Sequence, residues 1–337
     1  MKSCSFGLFI FATVIFLPCL RSTGAASCHP DDEAGLLAFN SGITRDPSGL
    51  LSSWKKGSDC CSWKGVTCIS DRVALLELDG RSDAAETFLS GTISPSLAKL
   101  QHLSEIYLSN LRKIKGSFPQ FLFQLPKLKE LFPFRITNNL SGMIPDYLSR
   151  FEGLSLLDLS KNRYSGVVPK SFANLTRLYD LNLSHNLLTG PFPILDVSDM
   201  ESLDLSYNQI QMKTIPKWVT LLPIINSLKL AKCGIKMSLD DWKPTALNFY
   251  DVIDLSENEI SGSPAWFLNQ TMFLLEFRAS GNKLLFDMGK LTFAKRMTTL
   301  DVFVGVWDSA SDRGWTGETE LESQPSLWEA SGNKVSG

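Results

Sequence analysis

Seven cysteines, three histidines and a spaced series of charged side chains are where chemistry could reside in this 337-residue sequence. Cys28, Cys60, Cys61 and Cys68 cluster near the start. Four cysteines allow three disulfide pairings or a thiolate metal site, and adjacent Cys60 and Cys61 rarely bond each other. Zinc usually needs two separated Cys-x-x-Cys or His pairs, which this spacing lacks, so disulfides are expected and no metal. His29, His102 and His185 are isolated from one another and from any nucleophile-base-acid constellation. No phosphate loop, dinucleotide glycine motif or kinase signature occurs, so neither an enzyme nor a cofactor is expected. Tyr107, Asp158, Asn182, Asp204, Lys229, Lys232, Asp254 and Arg278 recur beside leucines at near-constant spacing. Such a series suits binding rather than catalysis.

The elements that must position these residues follow from a repeat. Its clearest copy is Leu175 to Pro193, LTRLYDLNLSHNLLTGPFP. Aligned on a Leu-x-Leu pair, copies fall at Leu157/Leu159, Leu181/Leu183, Leu203/Leu205, Leu228/Leu230 and Ile253/Leu255. Leu76/Leu78 and Ile106/Leu108 lie upstream, and Phe277/Ala279 and Leu300/Val302 continue the series. The step of about 24 residues and the template Leu-x-x-Leu-x-x-Leu-x-Leu-x-x-Asn-x-Leu are those of a leucine-rich repeat, with about nine or ten coils. Side chains alternate along a strand, so the two leucines point inward and the residue between them outward. No coil buries its apolar side alone, and stacking therefore produces a continuous parallel sheet. Asn162, Asn186, Asn208, Asn258 and Asn282 recur where the chain leaves the strand. Their amides can satisfy backbone groups that the turn leaves unpaired. Cys233 takes that position in one coil and reads as an inert buried thiol.

Lys2, the apolar run from Phe6 to Leu17 and the small residues Gly24, Ala25 and Ala26 read as a secretory signal peptide over 1–26. That run is short for a membrane span, and Pro223 breaks the next apolar stretch. A mature chain without a membrane span, outside the cell, is expected. The whole sequence has 33 basic and 35 acidic residues, a net charge of -2, and removal of Lys2 and Arg21 with the signal makes it -4, so bulk charge attracts no nucleic acid.

Leu140-Ser-Gly-Met-Ile-Pro145, Tyr164-Ser-Gly-Val-Val-Pro169 and Leu188-Thr-Gly-Pro-Phe-Pro193 resemble the L-x-G-x-I-P signature of plant extracellular leucine-rich repeats. Cys28 to Phe39, Leu51-Ser-Ser-Trp54 and Asp59 to Cys68 resemble the N-terminal cap of plant polygalacturonase-inhibiting and receptor-like proteins. DNA-damage-tolerance-type repeat proteins without a kinase domain look similar too. The resemblance implies an α/β fold: a right-handed curved leucine-rich-repeat solenoid, its parallel β-sheet on the concave face, behind a disulfide-bonded helical cap. It also implies the pairs Cys28–Cys60 and Cys61–Cys68. Within the cap, Asp31, Asp32 and Glu33 stand at the start of a helix whose apolar stripe runs on from Leu36 towards Ile43, where acids favour the macrodipole.

These readings divide the chain into a signal peptide at 1–26, a cap at 27–70, repeats at 71–302 and a tail at 303–337. The register breaks between 125 and 138, where Pro133 takes the place of a strand leucine. The tail has no repeat period and lacks the family's C-terminal cap, so disorder and a shortened chain are expected there.

On the concave face the outward column comprises Glu77, Tyr107, Asp158, Asn182, Asp204, Lys229, Asp254 and Arg278, flanked by Asp180, His185, Tyr207, Lys232, Glu257 and Glu276. By resemblance this strip engages an extracellular protein or peptide, such as a cell-wall hydrolase or a receptor kinase. The expected role is a secreted interaction module of the plant cell wall or apoplast, in defence or signalling, that inhibits a wall hydrolase such as polygalacturonase. The alternatives are a ligand-sensing ectodomain fragment and a truncated product with little function. Sequons at Asn139, Asn174, Asn182 and Asn269 predict glycosylation, although a glycan on Asn182 would obstruct the strip.

Overall fold

A computed structural model describes residues 28–302 apart from 80–88, 110, 112, 133–138, 152, 244–248 and 288–290, together with 319–320. The signal segment 1–26 lies outside the described residues, as does all of 303–337 except the backbone of Thr319–Glu320.

The leucine pattern becomes one long sheet. It has 12 strands, antiparallel only at its two outermost pairings, so ten strands run parallel. Leu76, Ile106, Leu157, Leu181, Leu203, Leu228, Ile253, Phe277 and Leu300 stand in register on them and are buried. Within the segment 125–138, where the register is expected to break, the strand Glu130–Phe132 keeps its pairing with both neighbours, while 133–138, Pro133 included, lie outside the described residues.

The asparagines perform the accounting expected of them, and across coils as well as within them. The Asn186 amide donates to its own coil at Leu183 O (3.0 Å) and to the preceding coil at Leu159 O (2.9 Å). Its Oδ1 accepts the preceding coil's Tyr164 N–H at 3.0 Å. Asn208, Asn258 and Asn282 repeat this arrangement. Cys233 stands in the same column, fully buried, with Sγ 3.4 Å from Leu205 O.

A second sheet of seven strands, which the strand-period reading did not anticipate, runs along another side. It is built from the Gly-x-Ile-Pro turns: Asn139–Met143, Arg163–Val167 and Leu187–Gly190 pair in parallel. Gly190 has φ of 73°, and a Cβ there would approach Val167 Cγ1 to 2.7 Å, so glycine is required. After the first two of these turns a proline precedes a short 3-10 segment, Pro145 for Asp146–Arg150 and Pro169 for Lys170–Asn174. Among the described residues no helix is long and apolar enough to cross a membrane.

The cap covers the first coil with the helix Pro30–Ser41, which buries Gly35, Leu36 and Phe39. The helix stops at Ser41 rather than running on to Ile43, because the chain turns at Gly42 into the strand Ile43–Arg45 of the second sheet. Phe39, Trp54 and Trp63 form a ring series with centroids 6.0 and 5.5 Å apart. Cys28 bonds Cys60 and Cys61 bonds Cys68. The acids at the helix start divide their labour. Asp32 is fully buried and grips Arg72 through two 2.9 Å bonds, while also accepting the Val73 N–H at 2.9 Å. A buried carboxylate requires such pairing, and this one fastens the cap to the first parallel strand.

Candidate functional site

Register places the outward residues side by side. Asp158, Asn182, Asp204, Lys229, Asp254, Arg278 and Asp301 form one row across consecutive strands. Neighbours in such a row are about 4.8 Å apart, so Lys229 sits between Asp204 and Asp254, and Arg278 between Asp254 and Asp301. Tyr107 continues the row two strands beyond Asp158, in register with Phe132 of the intervening strand, and its hydroxyl donates to Glu105 at 3.2 Å.

The aspartates serve the fold as well as the surface. Asp158, Asp204 and Asp254 each accept the N–H of the serine two residues on, at 2.9, 2.9 and 3.0 Å. Asn182 does the same for Ser184 at 3.1 Å. These are Asx turns, in which a short polar side chain closes the strand exit. Burial raises the Asp204 pKa above the ordinary carboxylate range, partly opposed by its bonds from Ser206.

The next outward position is more distinctive. Lys161, His185, Tyr207, Lys232 and Glu257 occupy it in successive coils, all with φ between 53° and 56°. That left-handed backbone costs a non-glycine residue roughly 1–2 kcal/mol, yet side chains stand where glycine would be easiest. Four of them interlock. His185 stacks on Tyr207 with centroids 4.5 Å apart and planes at 10°. The Tyr207 hydroxyl donates to Glu257 Oε1 at 2.9 Å, and Lys232 Nζ lies 3.1 Å from Glu257 Oε2 and 5.9 Å from the Tyr207 ring centroid.

Their acid-base states follow from these contacts. The Tyr207 hydrogen bond, and then Lys232, hold the Glu257 carboxyl below its usual range. Burial, reinforced by Glu257, pushes the Tyr207 phenol up to about 12. Burial, and then Lys161, keep His185 below the ordinary imidazole value. One coil beyond, Arg278 pairs with Glu276 at 3.0 Å. The cluster therefore presents a flat aromatic stack beside an anchored ion pair.

The remaining candidates lie apart from it. Burial pushes the Cys233 thiol up to about 12, which suppresses thiolate reactivity. Asn174 and Asn269 are exposed outside the strands, Asn182 is half-buried on the sheet itself, and the side chain of Asn139 lies outside the described residues. Sequence reasoning gave the stacked pair no joint role, since His185 and Tyr207 become neighbours only through coil register.

Comparison with known proteins matches this architecture. Residues 29–69 match the leucine rich repeat N-terminal domain and residues 136–188 the leucine rich repeat. Receptor-like protein EIX1 of Solanum lycopersicum is 29% identical over 275 residues, covering 76% of this chain and 24% of that protein. The DNA damage-repair/toleration protein DRT100 of Arabidopsis thaliana is 31% identical over 114 residues, covering 31% of each. The chain thus spans roughly a quarter to a third of these relatives' lengths. A solved plant ice-binding protein superposes with a TM-score of 0.62 at 25% identity, over 80% of this chain and 91% of that one. The disulfide-bonded cap, the asparagine ladder and these likenesses together identify a leucine-rich-repeat fold behind a leucine-rich-repeat N-terminal domain, similar to plant receptor-like proteins.

Proposed function

We propose that the chain is an extracellular recognition module that holds a peptide or protein ligand on its parallel sheet, centred on His185, Tyr207, Lys232 and Glu257 and extended by Lys229 and Arg278. The observation that carries this reading is the interlocked cluster at strained backbone positions: a stack, a phenol–carboxylate bond and an ion pair at one place on a rigid sheet. Its likeness to a relative named as a receptor-like protein supports ligand sensing. Affinity capture from plant wall extract on the immobilised chain, repeated with Lys229→Glu plus Arg278→Glu, tests it. The expected result is a captured protein or peptide whose affinity falls at least tenfold in the variant. Capture that is indifferent to the substitutions, or no capture, rejects the concave strip.

The second reading makes the ligand a wall-degrading hydrolase. It rests on the resemblance of the cap and the Gly-x-Ile-Pro turns to those of polygalacturonase inhibitors. Inhibition of a fungal polygalacturonase by the wild-type chain and not by the variant supports it, and unaltered turnover at saturating protein removes it.

A further inference from the structure

The flank where the chain enters each strand carries a different pattern. Ser104, Lys129, Ser155 and Tyr179 each donate their N–H to the preceding coil, from Ala74 O onwards, at 2.8 to 3.0 Å. That ladder fixes the register, and two residues earlier in each coil it aligns Arg72, His102, Lys127, Gly153 and Arg177. At about 4.8 Å per coil the row is about 19 Å long, the span of roughly six residues of extended chain.

These residues, with Lys129 and Arg150, line an open groove of about 1390 Å³. Its charge is one-sided. Arg72 is committed to Asp32, but Lys127, Lys129, Arg150 and Arg177 are exposed, and Asp71 is the sole carboxylate among the described lining residues. Lys127 Nζ lies 3.0 Å from His102 Nδ1. Burial, and then Lys127 itself, hold that imidazole below its ordinary value, so His102 accepts from the ammonium and orients it. Apolar surface is present as well: Phe123 is half-buried in the groove, and Ile69 at its edge is 70% exposed.

We infer that this groove docks a short acidic segment of a partner protein, laid along the flank with carboxylates towards Lys127, Lys129, Arg150 and Arg177 and an apolar side chain against Phe123 and Ile69. Four cations against one carboxylate call for an anion. Phe123 and Ile69 favour a peptide over an acidic polysaccharide, which has no apolar side chain to cover them. This surface is separate from the concave strip, and its test is independent of that reading.

The probe is a fluorescein-labelled eight-residue peptide of glutamates and aspartates interrupted by one leucine and one phenylalanine, titrated against the full chain by anisotropy. Because Asn174 also lines the groove, glycans are removed first. Binding at low salt is expected to weaken at least tenfold at high salt, as screening requires. Lys127→Glu plus Arg177→Glu is expected to weaken it at least tenfold, while Lys229→Glu on the concave face leaves it unchanged. The pair Lys127→Ala and Arg177→Ala repeats the measurement with less charge perturbation, and the urea midpoint of each variant establishes that it is folded. Equal binding by both paired variants, or by a peptide with amides in place of carboxylates, overturns the inference. So does the outcome in which polygalacturonate binds this flank and the acidic peptide does not.

Discussion

Exchanging asparagine and cysteine within the ladder measures what one rung contributes. Asn208 donates to Leu183 O at 2.9 Å and Leu205 O at 3.0 Å, and accepts the Leu188 N–H at 3.1 Å. A cysteine at 208 could offer only what Cys233 offers, sulfur contacts of 3.4 and 3.6 Å to Leu205 O and Ala231 O. Asn208→Cys therefore loses two amide bonds and leaves the buried Leu188 N–H without its acceptor. At about 1 kcal/mol for each lost bond and about 1–3 kcal/mol for the unpaired donor, the expected loss is about 3 to 5 kcal/mol. The reverse change, Cys233→Asn, places an amide before the carbonyls of Leu205 and Leu230 and is expected to gain about 1 kcal/mol after desolvation. Urea unfolding followed by far-ultraviolet circular dichroism and by tryptophan fluorescence measures both, with coincident transitions required before a free energy is assigned. An Asn208→Cys protein within 1 kcal/mol of wild type would show that the column works by shape rather than by hydrogen bonding.

Two further outcomes follow from buried and stacked rings. The Tyr164 hydroxyl is buried without a hydrogen-bond partner among the described residues, so Tyr164→Phe is expected to keep or raise stability, by up to about 1 kcal/mol. A loss above 1 kcal/mol in the urea midpoint analysis contradicts this. For His185 the folded pKa lies below the unfolded value of about 6.5. Near that pH the unfolded chain binds more protons, so stability falls as pH drops through about 6.5 and levels off below the folded pKa. An imidazole titration by nuclear magnetic resonance should show its midpoint below 6.5, and a midpoint above that value refutes the stacked, neutral ring.

What the sequence disclosed and what it concealed divide along physical lines. Leucine spacing exposes the sheet because a period-two strand repeated at fixed intervals writes its buried face directly into the chain. The asparagines were legible for the same reason, since each fills one recurring vacancy. The Asp32–Arg72 pair was not, because 40 residues separate its members and an acid at a helix start already has a sufficient local explanation. The second sheet was hidden because strands such as Arg163–Val167 and Leu187–Gly190 bury only one side chain each, which leaves no apolar pair to read. The outward column could be named residue by residue. That its aspartates also close Asx turns, and that His185 meets Tyr207, requires the register between coils, which no single repeat contains.

Each rung of the asparagine ladder grips its own coil and the one before it. This makes length a discrete quantity in the molecule. Adding or removing one residue inside a coil displaces that coil's asparagine from both sets of carbonyls, whereas adding or removing an entire coil reproduces every bond at the new junction. Tolerated changes in size should therefore come in steps of one repeat. A scaffold of this kind can lengthen or shorten its recognition surface without redesigning what holds it together.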